Sequence, residues 1–197
     1  MLPVVINPML AQKADAPFDS EQHLFEIKWD GIRCLTFVER ARVRLQSRQA
    51  MEMTFQFPEL ASLAALPSGT VLDGELVVLQ GGRPSFRHIQ QRALLQNPRR
   101  IEMQSQTIPV TYMIFDLLYV KSQPLMAAPL SVRRKALVKL IGPAGRPGVL
   151  VPQGIAGFGC QMFDQVARLG LEGMMAKRLD APYLPGKRSR HWLKIKP

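Results

Sequence analysis

The chain has 197 residues, 47% hydrophobic and 21% charged, enough for one domain with a packed core. Its 26 Lys and Arg against 15 Asp and Glu leave a formal charge of +11, a field that asks for a polyanionic partner, whether nucleic acid, acidic protein or membrane surface. No apolar run approaches the roughly 20 residues of a membrane span, and Cys34, Cys160 and the scattered His23, His88 and His191 make neither a disulfide framework nor a zinc cluster, so a reduced, cytoplasmic home fits.

The opening MLPVVINPMLAQK lacks the basic region and long apolar stretch of a secretory signal. Residues 24–28 alternate, CLTFV (34–38) is rich in β-formers, and ARVRLQS follows after a short connection, which predicts an antiparallel meander. Pro58 opens PELASLAAL, a short helix with proline in its first turn. TVLDGELVVL (70–79) predicts a strand interrupted at Asp73-Gly74, with GGRP turning after it. SFRHIQQRALLQ (85–96) has helical spacing behind Ser85 as candidate cap. VTYMIFDLLYV (110–120) is too β-branched and aromatic for a surface helix and predicts a buried strand.

Two amphipathic helices follow, SVRRKALVKLI (131–141), ended by GPAGRPG (142–148), and CQMFDQVARLG (160–170), stopped by Gly170. GMMAKRL and WLKIK predict strands separated by the loop DAPYLPGKRSRH. Without repeats, low-complexity segments or strict βαβ alternation, the class expected is α+β with mainly antiparallel sheets.

Charged residues recur at the ends of these strands: Lys28 in FEIKWDGIR, Glu75 after Asp73-Gly74, Asp116 after Phe115, Glu172 before GMMAKRL, and Lys194 with Lys196 on one face of the last strand. A face holding lysines, glutamates and an aromatic is a poor core and a good nucleotide pocket. The aromatic can stack on a base, the cations can hold phosphates, and the carboxylates can hold Mg²⁺. Taken singly, each has a plainer reading: Lys28 as a solvated edge lysine, Phe115 as core packing, Glu75 and Glu172 as paired surface acids.

Together the ordered segments KWDGIR, SR, LDGEL, IFDLLY, EGMMAK and WLKIK resemble the ATP-dependent DNA ligases, members of the covalent nucleotidyltransferase superfamily. The likeness runs from NPMLA to the C-terminus, and the ending YLPGKRSRHWLKIK resembles DNA ligases more than capping enzymes or RNA ligases. It implies a covalent nucleotidyltransferase (ATP-grasp-like) fold with two mainly antiparallel sheets and flanking helices. Residues 1–197 then form one adenylation domain, and the family's following oligonucleotide-binding-fold domain is expected to lie outside this chain. An isolated adenylation domain is expected to adenylate weakly and to seal nicks poorly.

The resemblance also assigns roles. Lys28 takes AMP from ATP. Glu26 meets the adenine amino group with Ile27 beside it, Arg33 faces the ribose side, and Phe115 stacks on the base. Arg48 reaches the nucleotide and the DNA 5′-phosphate. Glu75 serves ribose or metal and Glu172 the metal, while Lys177 lies near the nucleotide. Lys194 and Lys196 hold the α-phosphate, with Arg188 assisting. Asp30, Asp73 and Asp116 are read as structural. The implied cofactors are ATP and Mg²⁺ or Mn²⁺, and the implied partners are nicked duplex DNA and a Ku-type end-binding protein, with a monomer and no membrane. The alternatives are an RNA ligase, a GTP-using capping-type enzyme, and a silent nucleic-acid-binding module.

A lysine amine attacks phosphorus only when neutral, and its reference pKa is about 10.4. Lys194, Lys196 and a bound cation are expected to lower that value, with Glu26, Glu75 and Glu172 pushing the other way.

Overall fold

The computed structural model describes residues 1–142 and 146–197. In chain order the elements are β1 (Leu10–Lys13), β2 (His23–Ile27), β3 (Ile32–Glu39), β4 (Arg42–Ser47), a 3₁₀ stretch at Pro58–Ala65, β5 (Thr70–Val77), β6 (Leu79–Gln80), β7 (Arg83–Pro84), α1 (Phe86–Ala93) and α2 (Pro98–Thr107). Then come β8 (Thr111–Val120), β9 (Gln123–Pro124), α3 (Leu130–Ile141), β10 (Val149–Leu150), α4 (Gly159–Arg168), β11 (Met174–Arg178) and β12 (Arg188–Ile195).

The central sheet runs β10-β8-β5-β3-β4, with β9 beside β8; the second runs β1-β12-β11-β2. Neighbours are antiparallel except β10 on β8 and β1 on β12. The fold is therefore α+β with mainly antiparallel sheets.

Alternation explains the layering. On β3, Cys34 and Val38 face a core shared with Leu60 and Leu63 of the 3₁₀ stretch, Ile89 of α1 and Leu137 of α3. Leu35 and Phe37 face the opposite way and meet Met9, Tyr183 and Trp192 beneath the second sheet. The outer side of that sheet is closed by Val166 of α4 against Phe25, Met174 and Ile195. Each such buried Leu, Val or Phe contributes about 1.5–3 kcal/mol of transfer free energy.

Several elements depart from expectation. β5 is continuous; the irregularity at Asp73-Gly74 is a shift in its register with β8. A Cβ on Gly74 would stand 2.5 Å from the Met113 carbonyl oxygen, so glycine is what lets the strands close there. PELASLAAL forms a 3₁₀ rather than an α-helical stretch. Ser85 occupies the N-cap of α1 without bonding a helix N–H; its hydroxyl meets His88 Nδ1 at 2.7 Å. Helix α2 was not anticipated, because Ile101 and Met103 are too few to give its largely polar sequence an apolar period; Asn97 caps it by accepting from Arg100 N at 3.2 Å.

Strand β1 was also unanticipated. Its pairing draws β12 back to Arg188, so RSRH belongs to a strand rather than to the loop. Of the stretch read as ending α3, residues 143–145 lie outside the described residues.

Asp73 and Asp116 hold the layers together. Arg133 of α3 donates to both oxygens of Asp116 at 2.7 and 2.9 Å, with neither side chain exposed, and to the carbonyls of Ala128 and Ala181. Asp73 accepts from Arg33 Nε at 2.5 Å and from the Tyr183 hydroxyl at 2.7 Å.

Candidate active site

Strands of both sheets line a cavity of about 870 Å³. Its walls come from the end of β2 and the turn after it, β3, the end of β4, β5, α1, β8, β11 and β12. Every residue given a nucleotide or metal role from sequence lines this one cavity: Glu26, Ile27, Lys28, Arg33, Arg48, Glu75, Phe115, Glu172, Lys177, Arg188, Lys194 and Lys196.

Lys28 stands just past β2, its N–H held by the Gly173 carbonyl at 2.9 Å. Its Nζ donates to Glu172 Oε2, while Lys196 Nζ donates to Glu172 Oε1 at 2.7 Å. One carboxylate thus sits between two ammonium groups that lie far apart in sequence. A glycine at 173 lets these segments close: a Cβ there would come within 2.3 Å of the Ile195 carbonyl oxygen, while one on Gly31 would come within 2.2 Å of the Leu76 oxygen where the turn after β2 meets β5. Lys196 lies one residue beyond β12 rather than within it, yet it keeps the same side as Lys194.

Burial alone would raise the proton affinity of Glu172, but hydrogen bonds from Lys196 and Lys28 outweigh it and hold the carboxyl below its ordinary range. Glu75 behaves oppositely: burial pushes it up to about 7, although Arg33 and Lys28 pull it down. Asp30, read as structural, is raised by burial and then by Glu172, so it feels the field of this site.

Another part of the cavity is a slot lined by aromatic rings and charged groups. Lys177 Nζ donates to Glu26 Oε2 at 2.5 Å and lies 3.9 Å from the centre of the Phe115 ring and 4.6 Å from that of Trp192. Burial lowers the proton affinity of Lys177 despite the Glu26 charge. Phe115 meets Trp192 edge-on at 6.0 Å, and the Arg33 guanidinium lies 4.8 Å from the Phe115 ring centre.

Two residues are more committed to the protein than their expected roles suggest. Arg33 gives Nε and Nη2 to Asp73. Arg188 is exposed and donates Nη1 to the Ala11 carbonyl. Arg48 lies exposed at the rim, just past β4. Among the lining or supporting residues that the sequence reading did not assign are Trp192, Met175 and Arg134. Trp192 was within reach, because it shares the alternation of Lys194 and Lys196. Met175 and Arg134 read as ordinary strand and helix residues.

Among the described residues, no group of three or more His, Cys, Asp or Glu side chains forms a ready-made cation cage. The oxygen donors present, Glu75 and Glu172, fit a hard divalent ion that relies on substrate phosphates and water for its remaining ligands.

The arrangement can bind a nucleotide with its base in the slot and its phosphates over Lys28, Lys194 and Lys196. The family model described as "ATP dependent DNA ligase domain" matches residues 8–196. The Bacillus subtilis SPbeta prophage-derived DNA ligase-like protein LigB is 34% identical over 191 residues, covering 96% of this chain and 67% of that protein. The multifunctional non-homologous end joining protein LigD of Mycolicibacterium smegmatis is 35% identical over 193 residues, covering 96% of this chain and 23% of that protein. Among solved structures, mycobacterial DNA ligase D complexed with ATP and MES superposes with a TM-score of 0.81 at 35% identity, over 97% of this chain and 60% of that one. The chain thus spans two thirds or less of the length of these relatives.

Proposed function

The chain belongs to the ATP-dependent DNA ligase domain family, and on that premise we propose that Lys28 forms a covalent lysyl-AMP and that the AMP then passes to a DNA 5′-phosphate, allowing a 3′-hydroxyl to seal the break. The observation that carries this reading is the placement of Lys28, Glu172 and Lys196 in direct contact on the floor of a nucleotide-sized cavity.

The chemistry follows from those groups. Lys28 loses a proton to solvent, and its lone pair attacks the α-phosphorus of ATP. The P–N bond forms as the bond to pyrophosphate breaks, which is covalent catalysis by an amine. Lys194 and Lys196 face the reacting phosphate and offset its charge. Glu26 and Phe115 orient the adenine, and Arg33 holds the pocket wall through Asp73. Glu75 and Glu172 would hold Mg²⁺ or Mn²⁺, which supplies further charge neutralisation at the phosphates. In the second step the 5′-phosphate attacks the α-phosphorus of the lysyl-AMP and releases Lys28. In the third, the 3′-hydroxyl displaces AMP.

The charge of +11 supports binding of nicked duplex through phosphate contacts, with Arg48 at the rim nearest the incoming 5′-phosphate. Likeness to LigD, a non-homologous end joining protein, supports a place in bacterial end joining; a cytosolic or nucleoid location, a monomeric state and a Ku-type end-binding partner belong to the same proposal. Among the described residues no helix is long and apolar enough to cross a membrane. Incubation with α-labelled ATP tests the reading: label should stay on the denatured protein and be absent from Lys28→Ala. Label of equal intensity on that variant would remove Lys28 as nucleophile.

A further inference from the structure

One guanidinium stands behind three separate walls of the nucleotide slot. Arg134, on α3, donates Nη2 to the Pro152 carbonyl at 2.5 Å and Nη1 to the Phe115 carbonyl at 3.4 Å. The same Nη1 lies 3.5 Å from Glu26 Oε1. Glu26, Phe115 and Pro152 belong to three different segments, and all line the cavity; Arg134 itself does not.

The rest of the helix aims this side chain. Its neighbour Arg133 is sunk into Asp116, and the N–H groups of Leu130 and Ser131 bond the carbonyls of Ala181 and Leu179 at 3.0 and 2.9 Å. Helix α3 therefore cannot rotate about its axis without breaking a buried ion pair. The Pro152 segment is likewise fixed, because Ile155 and Phe25 exchange backbone hydrogen bonds at 2.8 and 3.0 Å beside Glu26.

Glu26 is nearly buried, and its two oxygens are divided between two cations. Oε2 takes Lys177 at 2.5 Å, while Oε1 has no hydrogen bond among the described residues and has Arg134 Nη1 at 3.5 Å. The charge of a buried carboxylate is costly unless compensated. Arg134 supplies the second compensating charge. It also ties the carboxylate to the backbone of Phe115, the ring on which a base would lie.

We propose that Arg134 is a positioning residue that sets the choice of base: it fixes the Glu26 carboxylate relative to the Phe115 ring and the Pro152 segment, so that the slot accepts a purine with an amino donor at position 6 and refuses one with a carbonyl there. Adenine carries the donor at that position and guanine an acceptor, which a fixed carboxylate repels. This rests on the adenylating reading given above. Arg134 touches no reacting atom, so its loss acts on nucleotide affinity and discrimination rather than on the bond-making step.

The test compares covalent labelling by α-labelled ATP and GTP in the wild type, Arg134→Met and Arg134→Lys, with melting temperatures recorded alongside. Arg134→Met is expected to lower the ATP-over-GTP ratio of labelling efficiency by about 2- to 30-fold, the range for a residue that acts on a binding site without touching the ligand. The change should fall on KM for ATP, with the rate at saturating ATP little altered. Arg134→Lys keeps the charge but cannot reach all three partners, and is expected to recover part of the ratio. A wild-type ratio in either variant overturns the proposal, as does a parallel loss with both nucleotides that follows the melting temperature. Should Arg134→Met fail to fold, Arg134→Lys carries the test by itself. Absence of label on the wild-type protein would instead remove the adenylating reading.

Discussion

Lys28 and Lys196 share one carboxylate, Glu172, each ammonium holding a different oxygen. On the proposed reading, Lys28 is held as an ion pair with Glu172, and this contact has to open before its Nζ can reach a phosphorus. Glu172→Gln keeps the shape and removes the charge that organises both lysines. Lysyl-AMP formation should fall by about 10²-fold or more, the usual cost of losing one preorganised charge contact at a reacting centre. Single-turnover labelling at saturating ATP measures it.

Glu75 yields a pH prediction. Its carboxyl is raised from the ordinary 4.5 to about 7, chiefly by burial. A raised acid favours the folded state most where it is protonated in both states, and that contribution is lost as pH rises from about 4.5 through 7. Glu75→Gln removes the burden of ionisation. Its melting temperature should exceed the wild type's at pH 8, with the gap closing by about pH 5. Melting curves across that interval, taken without divalent ions, check the sign.

Phe115 offers its ring to the slot, with Lys177 3.9 Å from the ring centre. Stacking of a base on an aromatic is worth about 1–3 kcal/mol. Phe115→Ala should therefore raise KM for ATP by roughly 5- to 150-fold. Titrating labelling rate against ATP concentration separates this from any loss at saturation.

The buried Asp116–Arg133 pair is predicted to matter for stability. Removing one partner of a fully buried ion pair costs about 3–5 kcal/mol, because the other charge is left uncompensated. Arg133→Met should lower the unfolding free energy by about that amount, read from urea titration. Replacing both residues with apolar ones of similar size should cost less than the single change.

Much of this site was legible in the sequence because its ordered motifs resemble those of a known family, and alternation along the last strand put Lys194 and Lys196 on one face. The resemblance implied that Lys28, Glu75 and Phe115 gather with them, and all five line one cavity. Alternation stops at the strand, however. It could not show that Arg33 is already committed to Asp73, or that Arg134 reaches across from α3. Both contacts depend on how separate layers pack. Helix α2 was hidden for a different reason: its polar surface gives no apolar period, and only the Asn97-Pro98 cap marks its start. Strand β1 was missed because a parallel pairing over a long separation leaves no local turn to find.

The central claim is that one amine, Lys28, bonds to the innermost phosphate of ATP. The most direct measurement is an intact-mass spectrum of the protein after incubation with ATP and Mg²⁺, followed by peptide mapping. The expected result is a mass gain equal to one AMP, located on the peptide containing Lys28 and absent from Lys28→Ala. An unchanged mass, or an AMP located on any other residue, would contradict the account.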